Sequence, residues 1–392
     1  MFKSVLSLTL AAALGTAAFS QTTLTAVPGE AAAAKYASIS QEILRAIEKG
    51  NEYLKSKQNP EGYWAQPSYP ALTALAVTAY MRDPANQGKP LPEYIRKGYD
   101  FILKSQKEDG SIFNRGMSSY NTAVCMMALL AANREEYAPA ILKGRAYLIK
   151  QQNHFAPDNP YNGGIGYGDK QAPPIADLSN TSLALEAIYY SQKLAKDGKY
   201  GEQPDLDWNA ATEFINRCQQ NPAVNKEPWV SSDKSQLGGF VYRPGVASAR
   251  DSKSAAFDKA EPPKAYGSMT YAGMQSLIYA NVDKNDPRVK LALKWLENSY
   301  NLDENPGMGV HGLYYYYQAM SKALSAMGID TLTLEDGRKV DWRDELANKL
   351  ISIQKSDGSW VNTNNRWWEA DPVLVTSYCV LALEQLYHSI PR

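Results

Sequence analysis

One short segment returns along this chain at a fixed spacing, and that recurrence limits the fold more than any other feature. Near the C-terminus it reads Ile353-Gln354-Lys355-Ser356-Asp357-Gly358-Ser359-Trp360. Earlier it reads Ser105-Gln106-Lys107-Glu108-Asp109-Gly110-Ser111-Ile112-Phe113, and earlier still Lys57-Gln58-Asn59-Pro60-Glu61-Gly62-Tyr63-Trp64. A looser form extends the series: an aromatic or long residue, an aliphatic one, then Gln four positions on. Tyr53-Leu54 leads to Gln58, Phe101-Ile102 to Gln106, Tyr147-Leu148 to Gln152, and Phe214-Ile215 to Gln219. Lys349-Leu350 leads to Gln354, whereas Trp295-Leu296 leads to Tyr300 where Gln is expected. One internal spacing kept through every copy marks a chain built from repeats.

Each copy closes a helix whose apolar residues recur every three or four positions, as Ile43, Ile47 and Leu54 do in the first. A Gly-containing turn follows, then a more apolar helix: Leu72-Thr73-Ala74-Leu75, Asn121-Thr122-Ala123-Val124, Asn180-Thr181-Ser182-Leu183, Met269-Thr270-Tyr271, Gln318-Ala319-Met320 and Val375-Thr376-Ser377. Helices apolar on nearly all sides belong inside, and those with a charged face belong outside. Short connections make neighbours antiparallel, so the expected fold is an all-α array of six outer–inner hairpins. An open array needs polar terminal repeats. The last inner helix, Val373 to Leu386, is as apolar as the middle ones, which predicts closure into an α/α toroid, a single domain over 36–390.

The first 20 residues read differently. Lys3 supplies a charge, Val5 to Phe19 an apolar run, and Ala18-Phe19-Ser20 a small-x-small cleavage site, the pattern of a secretory signal peptide. Residues 21–35 are then expected to be a flexible segment, and the chain to be secreted or periplasmic. No later run is long enough for a membrane span. Lys plus Arg and Asp plus Glu both number 41, which excludes the positive field of a nucleic-acid binder. Three cysteines, Cys125, Cys218 and Cys379, are too few and too odd for a disulfide framework. They are expected to be buried core residues. Nothing calls for a cofactor, and the oligomeric state is open.

The turns between outer and inner helices differ in size, with enlarged loops at 153–177 and 221–266. The first carries Asn162-Gly163-Gly164-Ile165-Gly166-Tyr167-Gly168, the second Gly238-Gly239-Phe240-Val241-Tyr242-Arg243-Pro244-Gly245. Long loops in a compact domain usually carry function or are disordered. All of them leave the end of the ring where the inner helices start, so the mouth of a central cavity is expected there.

Gln354-x-x-Asp357-Gly358-Ser359-Trp360, with its weaker copies, resembles the QW repeat of squalene–hopene cyclases and related terpene cyclases. Gly238-Gly239-Phe240-x-x-Arg243-Pro244-Gly245 is similar to the glycine-rich turn in β subunits of protein prenyltransferases. Both families share the α/α toroid, and the resemblance spans roughly residues 40 to 388. The functional residues those families imply do not transfer. The Asp-x-Asp-Asp acid motif is missing, since Asp205-Leu206-Asp207-Trp208 lacks the last Asp. A prenyltransferase zinc site is missing too: Asp251 has no Cys near it, and the chain's His residues are only His154, His311 and His388. No metal is expected.

Asp177 and Asp371 precede the third and sixth inner helices. A carboxyl at the mouth amid aromatics would have a raised pKa and serve as an acid; the alternative is an N-cap, which Pro372 after Asp371 favours. His311 sits in the fifth loop ahead of Tyr314-Tyr315-Tyr316-Tyr317 and would move protons near neutral pH, or simply bond to backbone. Four adjacent tyrosines on a helix point in four directions, so one or two face the cavity. Trp360 belongs to the repeat and is structural, whereas Trp367 and Trp368 beside Arg366 are unexplained by it and are ligand-binding candidates. Tyr167, Tyr242, Arg243 and Tyr314 complete that set.

Three readings stay open. One is an exported cyclase-like enzyme using Asp177 or Asp371 as acid on an apolar ligand. The second is a binding or scaffold toroid for a hydrophobic or polymeric ligand, and the third a glycan-processing toroid.

Overall fold

The computed structural model describes residues 30–168, 175–245 and 263–390. The stretch 1–20 expected to be a signal peptide, Asp251 and the middle of both enlarged loops lie outside these residues. Helix α1 starts at Glu30, inside the stretch expected to be flexible.

Twelve α-helices and a two-residue hairpin, β1 (Leu332–Thr333) with β2 (Lys339–Val340), are described. The outer helices are α1 (Glu30–Ser56), α3 (Glu93–Lys104), α5 (Ala138–Lys150), α7 (Trp208–Cys218), α9 (Pro287–Asn298) and α11 (Trp342–Ser352). The inner ones are α2 (Pro70–Arg82), α4 (Ser118–Ala131), α6 (Leu178–Lys196), α8 (Gly267–Tyr279), α10 (Leu313–Met327) and α12 (Pro372–Ser389). Inner helices pack in the order α2, α4, α6, α8, α10, α12 and back to α2. The ring is closed. Burial follows the expected division: every residue of α8 is buried, while α3 buries only Ile95, Gly98, Tyr99 and Ile102, one stripe of its surface.

The repeated segment is the joint that sets this geometry. The Gln58 amide donates to Gly62 O in its own turn (2.9 Å) and to Tyr94 O at the start of the next outer helix (2.7 Å). Gln106 joins Gly110 to Ala140, Gln152 joins Gly163 to Asp207, and Gln219 joins Gly238 to Arg288 in the same way. Gln354 closes the circle, donating to Gly358 O and to Ala46 O in α1, both at 3.0 Å. The irregular copy solves the problem differently, with the Tyr300 hydroxyl reaching Glu345 on α11 at 2.9 Å. The turn glycine is required because the next outer helix approaches so closely. At Gly62 the backbone has φ +97°, and a Cβ would sit 2.5 Å from Lys97 O.

A second half of the joint comes from the inner helix. The hydroxyls of Thr73, Thr122, Thr181, Thr270 and Thr376 accept from the backbone N–H of Trp64, Ile112, Ile165, Phe240 and Trp360, at 2.8–3.1 Å. The indoles of Trp64 and Trp360 donate back to Leu54 O and Leu350 O, the helix each has just left. Cys125, Cys218 and Cys379 are buried free thiols, and burial pushes each thiol pKa up.

Candidate functional site at the mouth of the ring

The enlarged loops converge where the inner helices begin. The Gly163–Gly168 segment is fastened to the start of α4, with Ser119 N donating to Tyr167 O (3.0 Å) and Ser118 Oγ to Gly168 O (3.0 Å). The 240–242 segment of the second loop runs beside it, since Leu178 N donates to Tyr242 O at 2.7 Å. These contacts hold Asp177, Tyr167 and Tyr242 together.

Asp177 is the N-cap of α6. Its Oδ1 accepts from Asn180 N and its Oδ2 from Asn180 Nδ2, both at 2.8 Å. Burial dominates its titration and raises the pKa to about 6, against the Asn180 bonds, the Arg243 charge and a Tyr242 hydrogen bond that all favour the carboxylate. The Tyr242 hydroxyl also lies 3.3 Å from the Tyr167 hydroxyl. Burial raises the Tyr167 pKa to about 12, with Asp177 adding to the shift, and 37% of Tyr167 still faces solvent. A phenol chain thus runs from a buried carboxyl to the surface. The Arg243 guanidinium stands 6.0 Å from the Tyr242 ring.

Sequence reasoning missed the tyrosines beneath. Tyr315 on α10 lies near Ser179 on α6, and Tyr120 on α4 lies near Tyr378 on α12, so both pairs approach each other past an intervening helix of the ring. The Tyr315 and Tyr378 rings are 5.9 Å apart, and Tyr266 is buried within the field of Tyr315 and Asp177. A layer of phenols therefore spans the ring below Asp177. Of the four consecutive tyrosines, Tyr315 joins it. The hydroxyls of Tyr314, Tyr316 and Tyr317 are spent on the carbonyls of Val361, Asn301 and Leu302.

The other sequence candidates lie apart or at the rim. Asp371 caps α12, accepting from Val373 N (2.8 Å), and lines an outer groove of about 500 Å³ with Tyr53, Lys57 and Tyr63 rather than joining Asp177. His311 gives its carbonyl to Asn305 Nδ2 (3.0 Å), while its buried Nδ1 has no hydrogen-bond partner among the described residues. Trp367 and Trp368 have φ of +54° and +65°, a conformation bulky residues rarely adopt. Trp367 lies under the Arg366 guanidinium (5.2 Å), Trp368 packs on Tyr69 (4.6 Å), and both remain over a third exposed. The Arg366 charge is felt at Tyr266, which places this Trp pair on the rim of the same mouth. Glu369, buried beside them, accepts from the N–H groups of Tyr314 and Tyr315 and fixes the start of α10. Among the described residues no cluster of His, Cys, Asp and Glu suits a metal ion.

No protein-family profile matches the chain. Solved structures do resemble it. The type II terpene cyclase MstE from Scytonema, with its substrate geranylgeranyl dihydroxybenzoate bound, superposes with a TM-score of 0.54 at 10% identity, over 90% of this chain and 99% of that one. Its apo form gives 0.54 at 11% identity, over 89% and 99%, and its complex with the product merosterolic acid A gives 0.53 at 10%, over 90% and 99%. At such identity the likeness concerns the fold, which is terpene-cyclase-like.

Proposed function

We propose that this chain is an exported, terpene-cyclase-like toroid that takes an apolar, isoprenoid-class ligand at its mouth and exchanges a proton with it through Asp177. The observation that carries this reading is the buried Asp177 carboxyl, with a pKa near 6, beside Tyr242, whose hydroxyl donates to that of Tyr167. General acid–base efficiency is greatest when the pKa lies near the working pH. Tyr167, Tyr242, Trp367 and Trp368 offer flat apolar faces with polar edges around that group. The substrate of the terpene cyclase with this fold has the same character, a prenyl chain on a phenolic acid. Export rests on the charged and apolar pattern of residues 1–20.

A second reading, binding without turnover, is favoured by one feature. Both Asp177 oxygens already accept N–H groups from Asn180, as a purely structural cap would.

Incubation with geranylgeranyl dihydroxybenzoate in D2O separates the two. Proton exchange predicts an isomeric product carrying solvent deuterium, formed by the wild-type chain and lost in Asp177→Asn. Ligand recovered unlabelled from both proteins would end the catalytic reading.

A further inference from the structure

The end of the ring opposite the mouth carries its own constellation, formed by residues from five inner helices. Lys322 on α10 pairs with Glu186 on α6 at 2.5 Å. Tyr279 on α8 lies beside Glu186 and Tyr190 on α6 and feels their charge. The rings of Tyr189, Tyr190 and Tyr279 stand 5.4–6.0 Å apart in a mutually packed triad. Arg82 ends α2, and its Nη2 donates to Gln385 on α12 at 2.6 Å. The Arg82 charge is felt at Tyr190, although α2 and α6 are not neighbours in the ring. Arg82 therefore acts across the lumen.

The carboxylates at this floor are engaged elsewhere than with Arg82. Glu186 is committed to Lys322, and the hydrogen bond described for the Arg82 guanidinium goes to a neutral amide. Glu384 lies close enough to feel Arg82, but its carboxyl is fully buried, neither oxygen has a hydrogen-bond partner among the described residues, and burial raises its pKa well above the ordinary Glu value. Asp83 is occupied by Asn51, Asn86 and Ala85 N. The Arg82 guanidinium therefore has no carboxylate within ion-pair distance among the described residues, and its charge reaches the triad of packed phenol rings at Tyr190. Arg82, Tyr190, Lys322 and Gln385 each keep partial exposure, so this end opens to solvent. The tyrosine layer formed by Tyr120, Tyr315 and Tyr378 separates it from Asp177. A planar guanidinium grips a carboxylate in two parallel bonds, and aromatic faces cover an attached alkyl chain.

We propose that the floor of the ring is a second binding site, for the carboxylate of an amphiphilic ligand, with Arg82 as the anchor and the Tyr189–Tyr190–Tyr279 triad against its apolar part. The site stands independently of proton exchange at the mouth.

The test is isothermal titration of the full mature chain with octanoate and with acetate. Octanoate is expected to bind, to lose at least about tenfold in affinity in Arg82→Gln, as loss of a hydrogen bond to a charged group implies, and to bind unchanged in Asp177→Asn. Arg82→Lys, which keeps the charge without the fork, covers the case in which Arg82→Gln fails to fold; it is expected to be several-fold weaker with an unchanged melting temperature. No heat with octanoate, equal binding by folded Arg82 variants, or loss in Asp177→Asn alone would each overturn the site. Acetate binding as tightly as octanoate would overturn the amphiphile.

Discussion

Glu384 offers the sharpest test of how this interior is balanced. It sits in the apolar α12, fully buried, with both carboxyl oxygens lacking a hydrogen-bond partner among the described residues. Burial drives its pKa well above the ordinary Glu value, with Asp83 adding and Arg82 opposing. Replacing it by Met keeps the unbranched shape and removes the stranded polar group, which costs about 1–3 kcal/mol where it stands. Glu384→Met should therefore stabilise the protein by that amount even at pH 4.5. The gain should then grow with pH. An acid whose folded pKa is raised costs stability once pH passes its unfolded value, near 4.3 for Glu, because only the unfolded chain can then release the proton. The cost rises by about 1.4 kcal/mol per pH unit until the folded pKa is reached. Between pH 5 and 6 the gap between variant and wild type should widen by that amount, equivalent to about 2 °C for a chain of this size. Calorimetry of both proteins across that range measures it, and the difference cancels the titrations of Asp177 and Glu369. A constant gap, or a variant less stable than wild type, would refute the reasoning. The second outcome would mean that Glu384 is ionised and paired with Arg82, which would also remove the free guanidinium from the floor.

Further expectations concern the mouth and the joints. Carbon-13 NMR of labelled Asp residues should find Asp177 titrating near pH 6, and Tyr242→Phe should raise that value, because the lost hydrogen bond favours the carboxylate; a fall would break the proposed phenol chain. Gln354→Ala removes the two hydrogen bonds to Ala46 O and Gly358 O and should cost about 1–3 kcal/mol by denaturant unfolding, whereas a cost indistinguishable from zero would deny the joint a part in closure. Gly163→Ala combines a φ of +83° with a Cβ pressed on Ala210 O, so it should lose more than about 2 kcal/mol; a melting temperature equal to wild type would refute this. Thiol titration of the native chain should show Cys125, Cys218 and Cys379 unreactive until it unfolds.

The architecture was legible because its joint is local. Gln58, Gln106, Gln152, Gln219 and Gln354 each bond within their own turn, so a fixed spacing had to survive in sequence. The threonines were visible at equivalent places, but their acceptor role depends on a backbone N–H up to sixteen residues away. The mouth was legible in part. Asp177, Tyr167, Tyr242 and Arg243 stand in the loops that depart from the repeat, and departure was the signal. Tyr120, Tyr266, Tyr315 and Tyr378 gave none, since a tyrosine in an apolar helix reads the same whether it packs outward or crosses the lumen. Arg82 and Glu384 were hidden for a similar reason. Each is a lone charge at the edge of an apolar run, and its meaning depends on helices far away in sequence.

The clasp between Gln354 and Ala46 differs from its siblings only in joining positions 308 residues apart. In the folded ring no hairpin is first or last. The first and last helices also meet at α11: Tyr36 bonds to Asp341 and Ser389 to Arg343, at its first turn. Which hairpin comes first is thus set by the order of synthesis rather than by the shape of the ring. A circular permutant with Ile390 linked to Tyr36 and new ends in the exposed loop after α6 should fold to the same ring. During synthesis, by contrast, α1 must wait for the final hairpin before its inner face is covered, so a nascent chain halted short of α12 should expose that face to chaperones.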